Sequence, residues 1–559
     1  MIQTTENKEE KAIQTVGSFL YTCLKNDGLT DIFGVPGDYN FALLDLLEAD
    51  EQLTFINARN ELNAGYAADG YARLKGLSAL ITTFGVGELS TANAIAGANC
   101  ENIPIIHIVG APDSHKQENQ ELVHHTLMNG DFYVFKRMFE EISAYSAVLT
   151  PENAAIEIPK AIQIAKEKKK PVYLMVADDL VTERIVEREA KFDILQEDKQ
   201  SFDDAMNHVK ERIQTSSSTV LLADTKSKSF QLEKIMEDLA EALHIPVACM
   251  MYGKGAFDES HSHYIGIYAG EFGEESVKAV VEQADCVIAV GLVWADTNTA
   301  NFTATIEQNR LIDVQPSSVK IGTAQYNNIK AIQFLEELSH SGLRQMKEIP
   351  DTVFPYDNGT VEEKDTALSA SNYYPIIQDF IKARDVVITE TGTFFYGLSQ
   401  ARMKKEVSYI KQGGWQSIGF ATAAAFGACI AEPDRRVLLF TGDGSLQLTA
   451  QEISSMLSHG CKPILFVLNN KGYTIEKFLN TETKNQAYNN IPDWSYSQLP
   501  KAFGGEAYST VVSTVGDFEE ALKQAEIESK DKLCLIEMKI DDPMDGPDYV
   551  KQIRAHKKQ

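Results

Sequence analysis

Residues 437–470 read VLLFTGDGSLQLTAQEISSMLSHGCKPILFVLNN, two apolar strand-like runs joined through a turn of small residues and a helical stretch. Strands connected through a helix pair in parallel, because the crossover returns the chain to the same end of the sheet. A parallel sheet needs helices over both faces, so this segment commits the region to an α/β architecture. Ligands of such sheets bind at the carboxyl ends of strands, where Asp443 and Asn470 fall. The small residues at Gly442 and Gly444 let backbone N–H groups approach a phosphate. A carboxylate, an amide oxygen, a backbone carbonyl and two phosphate oxygens would make a hard-oxygen site for Mg²⁺, which rarely receives an all-protein cage. The segment therefore reads as a magnesium-diphosphate clamp.

The same strand-helix rhythm runs through the whole chain. DIFGV (31–35), ALITT (79–83) and PIIHIVGA (104–111) read as strands, as do TVLLAD (219–224), PVACMM (246–251), CVIAVG (286–291), RLIDV (310–314), VVITE (386–390) and LCLIEM (533–538). Polar stretches near 186–205 and 345–370 read as linkers, and a length of 559 residues suits about three domains. The expected bounds are 1–190, 200–345 and 365–559, three doubly wound parallel-sheet domains of the α/β class. The first and last share a rhythm that fits duplication. No GxGxxG follows a strand of the middle segment, which argues against a dinucleotide site.

Charge and cysteine usage exclude several functions. A net charge of −28 opposes binding to nucleic acid or an anionic membrane surface, which requires a basic face. No apolar run is long enough to span a bilayer, and the first ten residues, MIQTTENKEE, lack the pattern of a signal peptide, so a cytoplasmic protein is expected. Seven cysteines without CxxC spacing argue against a disulfide framework and a zinc site.

The GDG, its spacer and the closing NN resemble the diphosphate motif of thiamine diphosphate (ThDP) enzymes. From about Thr15 to the C-terminal region the chain is similar to the ThDP-dependent 2-oxo acid decarboxylases of the pyruvate and indolepyruvate decarboxylase group. The resemblance implies a pyrimidine-binding, a middle and a diphosphate-binding domain, with ThDP and Mg²⁺ as cofactors. It implies cofactor contacts from Gly442, Asp443, Gly444, Ser445, Asn470, Gly472, Tyr473, Thr474 and Ile475, with Asp443, Asn470 and Gly472 on the metal. Glu61, in RNELNAGYAADGYARLKG (59–76), matches the glutamate that activates the pyrimidine ring through N1′. The small residues after it would let a helix pack close to a neighbour. Read by itself, Glu61 is more readily a solvated helix-start glutamate favoured by the dipole, a reading that the surrounding motif and the separate diphosphate clamp reverse.

Other matches follow from the same resemblance. Ile418 in GGWQSIGFATAAAFGA (413–428) matches the apolar wedge that bends the cofactor, and Gln416 supplies the carbonyl for its 4′-amino group. Glycine is common in the family at 416, so the departure puts the local backbone and the placement of the amide side chain in question. Asp38, His124, His125 and Glu476 match the proton-handling set of the decarboxylases, a task for carboxylate and imidazole groups with tunable pKa values. Thr391 and Thr393 are placed to meet cofactor or substrate, and Thr297, Thr391, Phe395, Tyr396, Ile475 and Leu479 match the substrate pocket. The tail DYVKQIRAHKKQ (548–559) has helical character, in a region that relatives use to cover the site.

The implied activity is decarboxylation of a 2-oxo acid to an aldehyde and CO₂, pyruvate first and branched-chain or aryl acids such as phenylpyruvate and indolepyruvate next. The implied assembly is a homodimer with shared active sites, paired into a homotetramer. Competing readings are a ThDP carboligase of the acetolactate synthase type, a flavin-dependent oxidase on the same scaffold, and a non-catalytic ThDP-binding protein. The proton-handling set argues against the first two, and Glu61 against the third.

Overall fold

The computed structural model of the chain describes residues 14–188, 192, 196–346, 348–357 and 363–556. The first ten residues, the basic end of the tail at 557–559, and 189–191, 193–195, 347 and 358–362 of the expected linkers lie outside them. The chain packs as two units. One takes in the described residues up to Gly65 with Leu77–Ala96 and Pro104–Phe192; the other holds Tyr66–Gly76, Gly97–Ile103 and the chain beyond Phe192.

The first unit carries a six-stranded, wholly parallel sheet. Its spatial order is Thr54–Asn57, Asp31–Gly34, Ser78–Thr83, Ile105–Ala111, Val172–Ala177 and Tyr145–Leu149. The four interior strands are buried almost throughout, as near-continuous apolar runs require when helices cover both faces. The order reverses between Asp31–Gly34 and Ser78–Thr83, and such a switch opens a crevice at the carboxyl ends.

The second unit carries two sheets. One runs Ala324–Asn327, Ser318–Ile321, Leu311–Gln315, Cys286–Val290, Thr219–Ala223, Val247–Met250 and Tyr264–Tyr268. Five of its strands are parallel, as expected, but Ser318–Ile321 and Ala324–Asn327 add an antiparallel hairpin at the edge. Two residues, Gly322 and Thr323, separate those strands, too few for a crossover helix. The other sheet runs Ser408–Ile410, Val386–Thr389, Val437–Gly442, Ile464–Asn469, Cys534–Lys539 and Tyr508–Val512, all parallel. Numbered along the chain, this order is that of the first unit's sheet, so two sheets share one topology and one kind of switch point.

Parts of the expected linkers are ordered. Helix Lys199–Thr215 starts inside the first, capped by the Asp198 carboxylate on the Ser201 N–H. In the second, Phe354 stacks on Tyr264 at 6.0 Å and lies under the Arg402 guanidinium at 4.4 Å.

Helix Glu61–Lys75 meets helix Phe420–Ala431 within the second unit at its small residues. A Cβ on Gly70 would lie 2.2 Å from the Ala424 carbonyl oxygen, and one on Gly427 would lie 1.9 Å from that of Ala67. Both clashes are with backbone, so only glycine permits this approach from either side.

Candidate active site

At the first unit's switch point three polar side chains converge. Asp38 starts a short 3₁₀ turn after strand Asp31–Gly34, and Gly37 ahead of it packs on Thr83 at the end of the neighbouring strand. His124 and His125 lie in the loop that follows strand Ile105–Ala111 and helix Ser114–Glu118. Asp38 Oδ2 is 2.5 Å from His124 Nε2, and Asp38 Oδ1 is 3.6 Å from His125 Nε2. The Tyr39 hydroxyl lies 3.2 Å from His124 Nδ1, and the two rings stack at 4.8 Å. His125 has φ +61°, and its carbonyl oxygen would lie 2.0 Å from a Cβ on Gly85.

A buried carboxylate supports that turn. Glu88 accepts from the Gly85 N–H at 2.7 Å and from the Tyr173 hydroxyl at 2.8 Å, while burial pushes its pKa up to about 7. Glu88, Tyr39 and Gly85 escaped the sequence reading because their importance lies in tertiary contacts that no local motif announces.

Glu61 opens helix Glu61–Lys75. It is half-buried rather than a solvated helix-start residue, and desolvation raises its pKa. A Cβ on Gly87 would come within 3.3 Å of its Oε1, so the glycine keeps space beside the carboxylate.

In the second unit the residues expected to form the clamp lie at the matching switch point. Asp443 follows strand Val437–Gly442 directly, and its carboxylate is fixed by three backbone donors: Gly444 N–H at 2.7 Å, Lys471 N–H at 2.7 Å and Asn470 N–H at 3.1 Å. Burial nonetheless pushes its pKa up to about 6, against the pull of those N–H groups. The Asn470 amide donates to Thr474 Oγ1 at 2.7 Å, whose hydroxyl donates to the Pro543 carbonyl at 3.1 Å, which leaves the Asn470 amide oxygen as a donor for a cation. Gly472 pairs with Asn490, and the Tyr473 N–H donates to the Asn489 carbonyl at 3.0 Å, pinning the loop. The Tyr473 ring lies against Gly444, where a Cβ would come within 2.5 Å. Ser445 is buried in the helix that Asp443 begins. Asn469, the first of the two asparagines, instead donates to Glu537 at 2.8 Å and ties strand Ile464–Asn469 to its neighbour.

The donor set and the space around it fit Mg²⁺ and a diphosphate. A Cβ on Gly442 or on Gly392, which has φ +139°, would meet nothing within 4 Å, so both turns border open ground at the strand ends. Between them Glu390, unnoticed in the sequence, accepts from Thr391 N–H at 3.0 Å and from Gly419 and Ala421 N–H at 3.1 Å each. Burial pushes its carboxyl up to about 8. Gln416 answers the question posed by the missing glycine: it adopts φ +54°, and its amide donates to the Gly413 carbonyl at 2.7 Å. Ile418, two residues on, is half-buried.

Several expected pocket residues cluster about Tyr396. Its hydroxyl pKa is pushed up to about 12, first by burial and then by the carboxylates of Asp296 and Glu476. Thr297 follows Asp296 and accompanies it beside Tyr252. Ile475 and the exposed Glu476 and Leu479 lie on helix Thr474–Leu479, and helix Asp548–His556 packs on that helix and on Thr393–Ser399. Tyr549 of the C-terminal helix stacks on Tyr396 at 5.3 Å. Thr393 is buried, its methyl toward Gly546, and Thr391 is half-buried. Phe395 is 1 % exposed and belongs to the hydrophobic core with Phe272 and Tyr549.

Three family descriptions match the chain. They are the N-terminal TPP binding domain of thiamine pyrophosphate enzymes over residues 14–134, the central domain over 206–338 and the C-terminal TPP binding domain over 390–538. Together with two sheets of one topology and a diphosphate clamp, these matches define a thiamine diphosphate enzyme. The chain is 37% identical over 545 residues to pyruvate decarboxylase isozyme 3 of Saccharomyces cerevisiae, covering 94% of this chain and 95% of that one. It is 37% identical over 552 residues to the pyruvate decarboxylase of Kluyveromyces lactis, covering 96% and 97%, and 37% identical over 534 residues to that of Aspergillus fumigatus, covering 94% and 93%. The chain belongs to the family of thiamine diphosphate-dependent 2-oxo acid decarboxylases. Its cofactors are thiamine diphosphate and a divalent metal, and among the described residues no helix is long and apolar enough to cross a membrane.

Proposed function

We propose that the chain converts pyruvate to acetaldehyde and CO₂, with branched-chain and aryl 2-oxo acids as further substrates. The observation that carries this reading is the Asp38, His124 and His125 cluster, which offers proton donors and acceptors at one switch point while the other presents a cation and diphosphate clamp. ThDP, once bound with Mg²⁺, supplies the electron sink that allows the carboxylate to leave as CO₂.

The chain's own residues do the rest. Asp443, Asn470 and the Gly472 carbonyl hold the metal, Gly442, Gly444, Ser445, Tyr473 and Thr474 shape the diphosphate seat, and Ile418 with Ile475 fixes the ring system. The Gln416 carbonyl and Thr391 with Thr393 complete the polar contacts. Glu61, with its pKa raised by burial, holds a proton for the pyrimidine N1′. Asp38 and the two histidines deliver the proton that replaces CO₂ on the substrate carbon, and Glu476 beside Tyr396 assists at the pocket end. Thr297, Phe395, Tyr396 and Leu479 bound the substrate, with helix Asp548–His556 excluding water above it.

The working form is a cytoplasmic homodimer with shared active sites, paired into a tetramer. Supporting this, the first unit exposes Phe41, Val86, Leu122, Leu127, Met128 and Met138, apolar surface of the kind that interfaces cover. The test is an assay with ThDP and Mg²⁺ in which aldehyde formation is coupled to NADH consumption. Pyruvate, 3-methyl-2-oxobutanoate, phenylpyruvate and indolepyruvate are compared at matched concentrations. Aldehyde from pyruvate is expected; condensation of two pyruvates without aldehyde would establish the carboligase instead.

A further inference from the structure

We propose that Asp38, His124 and His125 also form a binding site for a zinc-like transition-metal dication, whose occupation stops the reaction. One ligand atom from each side chain lies within 4.8 Å of the other two, and among the described residues no other three His, Cys, Asp or Glu side chains converge in this way. Two imidazoles and one carboxylate suit Zn²⁺ or Co²⁺ with an open coordination position, whereas Mg²⁺ selects oxygen donors. A tetrahedral site with bonds of about 2.0–2.1 Å sets its donor atoms about 3.3 Å apart. Asp38 Oδ1 lies 3.6 Å from His125 Nε2, close to that value, and the other carboxylate oxygen, Oδ2, lies 2.5 Å from His124 Nε2, an edge that needs to open by less than an ångström. The His124 and Asp38 side chains are 58% and 42% exposed, which leaves them room for that movement.

The surroundings already orient the ligands. A metal-bound histidine ordinarily gives its second ring nitrogen to a neighbouring polar group, which fixes the tautomer and aims the ligating nitrogen. Tyr39 does this for His124, holding Nδ1 with its hydroxyl and stacking on the ring, so that Nε2 faces Asp38. For His125 the left-handed backbone and the seat on Gly85 fix the direction of the side chain. Binding follows from this geometry alone. Inhibition rests on the proton role proposed above, since a metal occupies the lone pairs that would carry the proton.

The experiment uses protein saturated with ThDP and Mg²⁺, titrated with Co²⁺ and followed by the visible absorption of four-coordinate cobalt. One equivalent per chain is expected, displaced by Zn²⁺, with decarboxylation falling at least tenfold in step and returning when the ion is chelated and Mg²⁺ resupplied. His124→Ala and His125→Ala should each weaken cobalt binding at least tenfold, and Tyr39→Phe about tenfold, with circular dichroism and ThDP uptake unchanged. His208→Ala should bind cobalt as the parent does. A cobalt spectrum unaltered in the His124→Ala/His125→Ala protein, or abolished by Asp443→Asn, would place the ion in the magnesium clamp and overturn the site. Cobalt held by the histidines with full activity would overturn the inhibition and the proton role together.

Discussion

An L-residue in left-handed backbone costs about 1–2 kcal/mol relative to its ordinary conformation, and Gln416 spends its amide on the Gly413 carbonyl while adopting it. Replacing Gln416 by glycine relieves that strain but loses the hydrogen bond and frees the unfolded chain, so stability should stay within about 1 kcal/mol. Gln416→Ile, β-branched at the same φ, should lower stability by about 2 kcal/mol or more; urea-unfolding midpoints compare the three proteins. Asp443 predicts a pH dependence. Burial raises its folded pKa to about 6, above the ordinary 3.8 of an aspartate, so in metal-free protein its contribution to stability is complete below 3.8 and is lost as pH rises through 6. Cation binding needs the ionised form, so Mg²⁺ and ThDP affinity should fall about tenfold per pH unit below 6, and calorimetry from pH 5 to 7 measures it. A flat profile would mean that another group limits binding. The clamp was legible in the sequence because its ligands lie within one segment beside the glycines that shape it. Glu390 was not, because two of its three N–H partners, Gly419 and Ala421, lie about thirty residues further along, just beyond Ile418, and only the fold brings them to it.

At the level of elements, Gly70 and Gly427 lock helix Glu61–Lys75 to helix Phe420–Ala431 by reciprocal contact with backbone. One added methyl at either position forces the helices apart, and Gly427→Ala should destabilise by about 3 kcal/mol or more, despite the better helix propensity of alanine. A Gly427→Ala protein as resistant to urea as the parent would refute the interlock. The sequence suggested close packing here from its small residues, although the partner helix became known only from the fold. Most central strands were equally legible, since burial on both faces makes them apolar runs, although Val172–Ala177, interior and buried throughout, went unread. Thr54–Asn57, Ser408–Ile410 and Tyr508–Val512 were not, because each is a sheet edge, short or only partly buried, and its composition resembles that of a loop. The common strand order of the first and last sheets was likewise beyond the sequence reading, which felt the rhythm but not the pairing.

At the scale of the whole molecule, ThDP with Mg²⁺ should act as part of the fold. At a hundredfold excess over the dissociation constant, bound cofactor adds about 2.7 kcal/mol, so the thermal midpoint should rise on addition, drop with EDTA, and stay unmoved in Asp443→Asn. Shared sites predict complementation. Glu61→Gln and Asp443→Asn proteins, each inactive alone, should regain activity after co-refolding, because a mixed dimer contains one site with both native residues; no recovery would exclude sharing. The exposed apolar side chains of the first unit carry a practical consequence as well. If the proposed homodimer covers that surface, dilution strips it bare, so activity should decay at nanomolar concentrations faster than the chain unfolds, with the lost material adsorbing to vessel walls and carrier protein slowing the loss.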